Sequence, residues 1–157
     1  MASSGPPAAA DPYVDDPSVL VYLGPSPLSL ERFVEHASLQ STGAVVSFLG
    51  LTRTPGHGGK GVACLQFEAY EPMALRGLRA IAGEARGRFS LSRVAIGHRL
   101  GSVPLGQASL CVCVSSPHRK PAMDASQYIV EQIKQRVAVW KKEVYEDGSH
   151  WWVKQCC

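Results

Sequence analysis

The sequence predicts an α+β protein, and three observations lead to this fold class. Short apolar runs of strand type alternate with two longer segments whose apolar residues recur at helical spacing, without a strict strand–helix–strand rhythm. The 157 residues are 45% hydrophobic and 18% charged, which is typical of one globular domain with a substantial core. Asp147-Gly148 lies between two strand-like runs and is the strongest hairpin signal in the chain. We therefore expect a single domain over residues 17–157.

The first 70 residues are predicted to contain a tail, three strands and a short helix. Residues 1–16 are rich in proline, alanine, serine and aspartate, so we expect a disordered N-terminal tail there. Ser29 is a predicted N-cap, because its hydroxyl can accept a hydrogen bond from the first helical turn. In chain order the predicted elements are the strand 18–24, the helix 30–39, the buried strand 43–53, the flexible loop 54–61 and the strand 62–70.

The rest of the chain is predicted to contain two long helices and two strand pairs. Leu75, Leu78, Ala82 and Ala85 recur at helical spacing and predict an amphipathic helix, and Pro72 suits its first turn. A turn signal, VPLGQ, separates two strands that follow. The predicted elements are the helix 72–88, the strands 93–101 and 107–116, the helix 121–135 and the C-terminal hairpin.

Charge and cysteine content limit the classes of function. The net charge is +3, which does not indicate a broad nucleic-acid-binding face. No apolar run approaches the roughly 20 residues needed to cross a bilayer, so no membrane partner is expected. Five cysteines without an apolar leader predict free thiols in a reducing, cytosolic setting. Cys111 and Cys113 alternate with valines and should share one strand face, and no second pair indicates zinc.

Two lysines near the end of the last long helix are candidate catalytic residues. Lys134 closes the predicted helix and Lys141 lies in the strand that follows, beside Val139 and Trp140. Like charge and desolvation both favour a neutral lysine, which can act as a general acid, base or nucleophile. The alternative is that both are solvated, with Lys134 interacting with the helix dipole. Spacing alone leaves both interpretations open.

An anion site is predicted where the strand 107–116 meets the next helix. The run SSPHRKP places His118 and Arg119 at a helix N-terminus, whose free N–H groups favour anions. Arg53 follows the strand 43–53 as a third candidate ligand, and His98 and Arg99 close another strand with a weaker case. A solvated loop and a surface arginine are the alternatives. Together these residues indicate an anionic ligand, with a phosphate group the favoured type.

Five segments resemble one known family. They are GAVVSFLGLTR, FEAYEPMA, HRLGSVPLG, VSSPHRKPAMDASQYIVEQIKQRVAVWKKE and DGSHWWV, in this order. Together they closely resemble the catalytic (large) subunit family of molybdopterin synthase, over about residues 18–153. The segment from Ser115 to Glu143 carries the most specific part of the resemblance.

The resemblance implies a fold, a reaction and partners. It implies an α/β hammerhead-type fold with a mixed antiparallel sheet and an added C-terminal hairpin. The implied reaction converts cyclic pyranopterin monophosphate to molybdopterin, with sulfur from the C-terminal thiocarboxylate of a small ubiquitin-like sulfur carrier. No metal or redox cofactor is implied. The implied assembly is a heterotetramer, in which a homodimer of this chain binds one carrier at each end.

Site residues follow from the resemblance position by position. Lys134 and Lys141 match the two catalytic lysines, and Arg53 matches the arginine after the first core strand. His118 and Arg119 match the pterin-phosphate site, which draws on the neighbouring subunit.

The sequence departs from the family pattern at two places. The family's Asn-His-Asn run is replaced by TPGHGGKG, in which His57 is the candidate substitute. Cys156 stands near a position where arginine is common, with Lys154 as a possible replacement.

Two other classes of function compete with this interpretation. One is a non-catalytic dimeric module that binds a ubiquitin-like partner or a phosphorylated ligand. The presence of both lysines disfavours it. The other is a small RNA-binding domain. The low net charge disfavours it, and the sequence predicts no strand with exposed aromatic and basic residues.

Overall fold

A computed structural model of the chain describes residues 13–153. The described residues form nine strands, three α-helices and a 3-10 turn at His57–Gly59. The helices are α1 (Leu30–Ala37), α2 (Glu71–Phe89) and α3 (Arg119–Arg136). The strands are β1 (Tyr13–Asp16), β2 (Val19–Gly24), β3 (Ala44–Leu51), β4 (Val62–Ala69), β5 (Arg93–Arg99), β6 (Gly101–Pro104), β7 (Ala108–Ser116), β8 (Val139–Tyr145) and β9 (His150–Val153).

The strands form two sheets, and the α+β prediction is confirmed. The five-stranded sheet has the order β1-β2-β5-β7-β3, in which β2 and β5 are parallel and the other neighbours antiparallel. The four-stranded sheet has the order β6-β4-β8-β9 and is antiparallel throughout. Its β8 and β9 form the predicted C-terminal hairpin, and Gly148 adopts a φ of 83° in the connecting loop.

The main core lies between the five-stranded sheet and two helices. α2 and α3 pack side by side on one face of the sheet, where Leu78 and Ile129 are fully buried against Ile96 and Val112. α1 covers the other face with Phe33 and Ala37. A smaller core beneath the four-stranded sheet contains Phe67, Leu100 and Val103.

Strand alternation places the two central cysteines as predicted. Cys111 and Cys113 are fully buried on the α1 face of β7, whereas Val112 and Val114 face α2 and α3. Both cysteines are free thiols.

The N-terminal boundary differs from the prediction. Residues 13–16 were expected to belong to a disordered tail, but Tyr13–Asp16 forms β1 and pairs with β2. The Asp16 carboxylate accepts hydrogen bonds from the amide and hydroxyl of Ser18, at 2.8 and 2.6 Å, and this turn returns the chain along β2. Residues 1–12 of the predicted tail lie outside the described residues, as do Lys154, Cys156 and Cys157.

A second difference follows Gly101. The sequence predicts one strand over 93–101 and a turn after it, but the chain forms β5 and then β6 in the other sheet. Gly101 has a φ of 78°, a conformation that a residue with a Cβ rarely adopts, and it redirects the backbone between the sheets.

β3 is a third difference. It was predicted to be buried, but it is the edge of the five-stranded sheet, and its side chains alternate between half-buried and exposed.

None of the helices in the described residues 13–153 has the length and apolar character that are needed to cross a membrane.

Removal of core volume from α2 should destabilise the fold. Because Leu78 is fully buried, we expect Leu78→Ala to lower the free energy of unfolding by about 3 kcal/mol. Arg76→Ala, an exposed change on the same helix, should stay within about 0.5 kcal/mol of the parent. Urea unfolding of the three proteins measures both values, and equal midpoints for the two variants would contradict this assignment of the core.

Candidate functional site

A cavity of about 360 Å³ opens where the end of β3, the last turn of α3 and β8 meet. Most of its lining residues are apolar, and three cationic side chains, a histidine and a serine also line it. The lining residues are Phe48, Gly50, Leu51, Arg53, Leu65, Phe67, His98, Ser109, Leu110, Ile133, Lys134, Val137, Val139, Lys141 and Val153.

The corner between α3 and β8 brings Lys134 and Lys141 to the same cavity. Lys134 lies in the last turn of α3, which ends where the Val137 amide donates to the Ile133 carbonyl. β8 begins two residues later and returns along β4. Val139 and Lys141 alternate onto its inner face and line the cavity.

Trp140 lies on the opposite face of β8. From its position beside Lys141, the Trp140 ring was predicted to form an apolar wall near the lysines, but its side chain is 53% exposed and points away from the cavity. Strand alternation explains the difference, since residues 139 and 141 share one face and residue 140 the other.

Arg53 reaches the cavity from the end of β3. The preceding residue, Thr52, is buried, and its hydroxyl donates to the Val103 carbonyl at 3.1 Å. Its amide donates to the Gln107 carbonyl at 3.0 Å. These bonds fix the backbone at the strand exit, so Arg53 enters the cavity lining from an anchored position.

His98 is a cavity residue for which the sequence alone gave a weaker indication than for Arg53 and the lysines. It is the penultimate residue of β5, is 6% exposed, and lines the cavity with Lys141. Burial lowers the pKa of His98 to about 4; its contact with the Arg99 carbonyl opposes this shift, and the positive charge of Lys141 adds to it. Arg99 was predicted together with His98 as a weaker candidate ligand. Its guanidinium donates to the Gln107 side chain at 2.7 Å, and it is not among the lining residues.

The loop 54–61 was predicted to be flexible, but it is tied to the C-terminal hairpin. The His57 amide donates to the Glu143 carboxylate at 2.9 Å, and the Tyr145 hydroxyl donates to the same oxygen at 2.7 Å. The His57 ring stacks on Trp151, with ring centroids 3.9 Å apart. Both partners are distant in sequence, so no local pattern indicates these contacts.

His118 and Arg119 do not reach the cavity of their own chain. His118 is the N-cap residue of α3, and Arg119 begins the helix. Lys134 lies fifteen positions after Arg119, which corresponds to about 22 Å along a helix axis. The structure therefore brings together Arg53, Lys134 and Lys141, and leaves the other two predicted residues at the far end of α3.

The free edge of β3 forms an apolar surface between these two places. Val45 and Leu49 are each 38% exposed on one face of the strand, and Leu51, which follows an irregularity at Gly50, is 52% exposed. A groove of about 390 Å³ follows the other face, between β3 and α3. Its lining residues are Val46, Phe48, Met123, Ser126, Gln127, Val130 and Glu131.

The outer face of the four-stranded sheet carries exposed aromatic residues. Trp140 and Trp152 are exposed, and the Lys142 ammonium lies 5.3 Å from the centre of the Trp152 ring. No exposed aromatic–basic motif on a strand was predicted from the sequence. The pairing of β8 with β9, which joins Lys142 to Trp152, creates it.

Residues 23–136 match the family model described as MoaE protein. The molybdopterin synthase catalytic subunit of Oryza sativa subsp. indica is 43% identical over 146 residues, which cover 93% of this chain and 75% of the relative. That of Bacillus subtilis (strain 168) is 40% identical over 126 residues, which cover 80% of each chain.

Solved structures share the fold. The crystal structure of molybdopterin synthase from Staphylococcus aureus superposes with a TM-score of 0.80 at 34% identity, covering 85% of this chain and 96% of that chain. A complex of subunits 1 and 2 of molybdopterin-converting factor from Helicobacter pylori gives a TM-score of 0.71 at 21% identity, covering 85% and 90%. At that identity the second likeness concerns the fold alone.

The buried imidazole should make stability depend on pH. The pKa of His98 is lowered to about 4 in the folded chain, whereas an unfolded histidine titrates near pH 6.5. As pH falls from about 6.5 to 4, the unfolded chain binds a proton that the folded chain does not, so the folded state loses stability. Between pH 7 and pH 5 we expect this group to account for a loss of about 2 kcal/mol.

Urea unfolding of the parent and of His98→Gln at both pH values measures this contribution. The parent should lose more stability than the variant on acidification, because glutamine has no proton to bind. The half-buried His36, whose pKa is also lowered, chiefly by burial, contributes equally to both proteins. Identical losses in the two proteins would show that His98 does not cause the pH dependence.

Proposed function

The chain belongs to the MoaE protein family of molybdopterin synthase catalytic subunits, and we propose that its cavity converts cyclic pyranopterin monophosphate to molybdopterin. The observation that carries this proposal is the convergence of Arg53, Lys134 and Lys141 on one cavity whose other lining residues are mostly apolar. Three cations in such a setting attract an anionic substrate and stabilise negative charge that develops during the reaction.

The sulfur donor is the C-terminal thiocarboxylate of a small ubiquitin-like carrier. A thiocarboxylate is an anion on a slender peptide tail, so it suits a narrow cavity lined by ammonium groups. The two lysines reach the cavity from different elements, a helix end and a strand, and can therefore contact a tail from two sides. We assign the contact with the tail to Lys134 and proton transfer to Lys141.

The sulfur transfer balances without an oxidant. In each transfer a carbon–sulfur bond forms to the thiocarboxylate and a carbon–oxygen bond of the pterin breaks. The departing oxygen leaves with a proton, which Lys141 supplies as the general acid. Water then hydrolyses the resulting thioester, which releases the carrier carboxylate and leaves a thiol on the pterin. The sulfur stays at the oxidation level of a thiol throughout, so no electron carrier takes part.

A homodimer through the β3 edge would complete the substrate site. Unpaired strand edges with exposed apolar side chains are ready sites for pairing with another chain. Val45, Leu49 and Leu51 form such an edge, and the adjoining groove between β3 and α3 extends it. A two-fold dimer uses the same surface on both chains, so β3 would pair with its own copy in antiparallel orientation.

This pairing accounts for the position of His118 and Arg119. Ala44, at the start of β3, pairs with Ser116, so His118 and Arg119 follow close to that end of the strand. Arg53 follows the other end. In an antiparallel pair the start of one strand lies beside the end of its copy. His118 and Arg119 of each chain would then approach the cavity of the other and bind the pterin phosphate.

The assembly follows from these surfaces. One sulfur carrier at each cavity of the homodimer gives a heterotetramer. The three cysteines in the described residues are free thiols, which supports a reducing, cytosolic setting.

The lysine assignment can be tested with a neighbouring lysine as the control. We expect Lys141→Ala to lower the rate of molybdopterin formation by about 100-fold or more, because general acid–base groups contribute on that scale. We expect Lys134→Ala to lower it by about 100-fold, because loss of the contact with the tail misplaces the reacting sulfur. Lys142→Ala should retain nearly the parental rate, since Lys142 lies on the opposite face of β8 over Trp152. Single-turnover assays with thiocarboxylated carrier and the cyclic pterin measure the rates. Near-parental turnover in both cavity variants would refute the assignment.

The shared site can be tested by mixing two inactive chains. Lys141→Ala and Arg119→Ala should each be inactive as homodimers, but a heterodimer of the two would contain one cavity with neither change. Random reassembly makes about half of the dimers heterodimeric, each with one intact site of two, so about a quarter of the parental activity should return. If each cavity uses its own Arg119, mixing restores nothing.

A further inference from the structure

His98 is the one lining side chain with a neutral nitrogen base among the described residues of the cavity, and the proposed reaction leaves it without a role. The other titratable lining groups, Arg53, Lys134 and Lys141, are cationic types. A buried histidine beside three cations differs from an ordinary core histidine in its position, since it faces the space where a substrate would lie.

Phe67 places the imidazole and Lys141 next to each other. Phe67 in β4 is directly opposite Lys141 in β8, and side chains of such pairs lie about 5 Å apart at their Cβ atoms. The Phe67 ring also contacts the His98 ring, with centroids 5.1 Å apart and planes at 70°. His98 and Lys141 therefore flank the same aromatic ring inside the same cavity.

The hydrogen bond of the imidazole fixes its tautomer. Nδ1 of His98 lies 3.0 Å from the carbonyl oxygen of Arg99. A carbonyl oxygen can only accept, so Nδ1 carries the proton and donates it. In the neutral ring Nε2 then keeps a lone pair, at the end of the ring away from the backbone. An acceptor at this position suits an ammonium group.

We propose that His98 is a positioning residue for Lys141, whose ammonium donates a hydrogen bond to Nε2 and is thereby directed toward the departing oxygen of the substrate. This inference rests on the proposed function of Lys141 as the general acid. An acceptor that binds the ammonium also favours its charged form, which is the form that can donate a proton. His98 itself transfers no proton in the reaction.

The charged and titratable groups around Lys141 come from several elements. β5 contributes His98, α3 contributes Lys134, and the end of β3 contributes Arg53. On β8 itself, Glu143 lies two residues further along the same face, bound to the His57 amide and the Tyr145 hydroxyl. The charges of Arg53 and Lys134 disfavour the charged form of Lys141, whereas a hydrogen-bond acceptor such as Nε2 of His98 favours it.

The test compares variants with and without an acceptor at position 98. His98→Leu fills similar space without an acceptor, whereas His98→Gln keeps an amide oxygen. The first readout is the rate at which a dilute amine-acylating reagent labels Lys141 at pH 8, measured by peptide mass spectrometry, because only the neutral amine reacts. Lys142, on the other face of β8, is the internal reference in every sample.

We expect His98→Leu to raise the labelling rate of Lys141 by about tenfold or more, since loss of a hydrogen bond to a charged group corresponds to a factor of at least that size. The labelling of Lys142 should not change. His98→Gln should return the rate toward that of the parent. In turnover assays, kcat should fall about tenfold in His98→Leu, with KM little changed, and should recover in part in His98→Gln.

His36→Gln is the matched control, since His36 is the other partly buried imidazole of the fold and lies on α1, on the far side of the five-stranded sheet. It should alter neither readout. If His98→Leu does not fold, His98→Ala gives the same comparison.

Unchanged Lys141 labelling in a folded acceptor-free variant would overturn the inference and assign His98 to packing alone. Labelling needs no turnover. If the parent protein is inactive but its Lys141 is still labelled more slowly than that of His98→Leu, the result counts against the proposed function and not against the contact between His98 and Lys141.

Discussion

The register between β4 and β8 is the constraint on which the candidate site depends. It sets Phe67 opposite Lys141, and strand alternation then directs residues 139 and 141 inward and residues 140 and 142 outward. A slip by one residue would place Trp140 and Lys142 on the cavity face of β8 and Lys141 on the outer face. In this register, the change of chain direction after Val137 brings Lys134, in the last turn of α3, to the same cavity as Lys141. The adjacent residues Lys141 and Lys142 therefore have different surroundings: Lys141 lines the cavity, and Lys142 lies over Trp152.

The sequence was most informative where a short pattern determines a local structure. Spacing of apolar residues predicted α2 and α3, Asp147-Gly148 predicted the hairpin, and alternation predicted the shared face of Cys111 and Cys113. It was least informative where partners are distant along the chain. The transfer of β6 to the second sheet depends on Gly101, and the attachment of the loop 54–61 depends on Glu143 and Trp151. Neither has a local signature.

The candidate site was likewise predictable from local patterns only in part. Three predicted cations meet in the cavity, but spacing alone could not distinguish them from solvated surface charges, and the resemblance to a known family supplied their roles. His98 received little weight because a histidine at a strand end is common, and its value depends on Phe67 and Lys141, which belong to another sheet. The separation of Arg119 from Lys134 is a property of helix length, and a single chain cannot remove it.

The buried cysteines of β7 have a consequence for the side reactions that are open to the protein. Burial raises the pKa of Cys111 to about 12, with a smaller contribution from Cys113, and raises that of Cys113 to about 11. At neutral pH both remain thiols, and thiols are poor nucleophiles compared with thiolates. In the proposed reaction, an acyl–sulfur intermediate would therefore meet no competing thiolate from this strand, and acyl transfer to the protein itself would be disfavoured there.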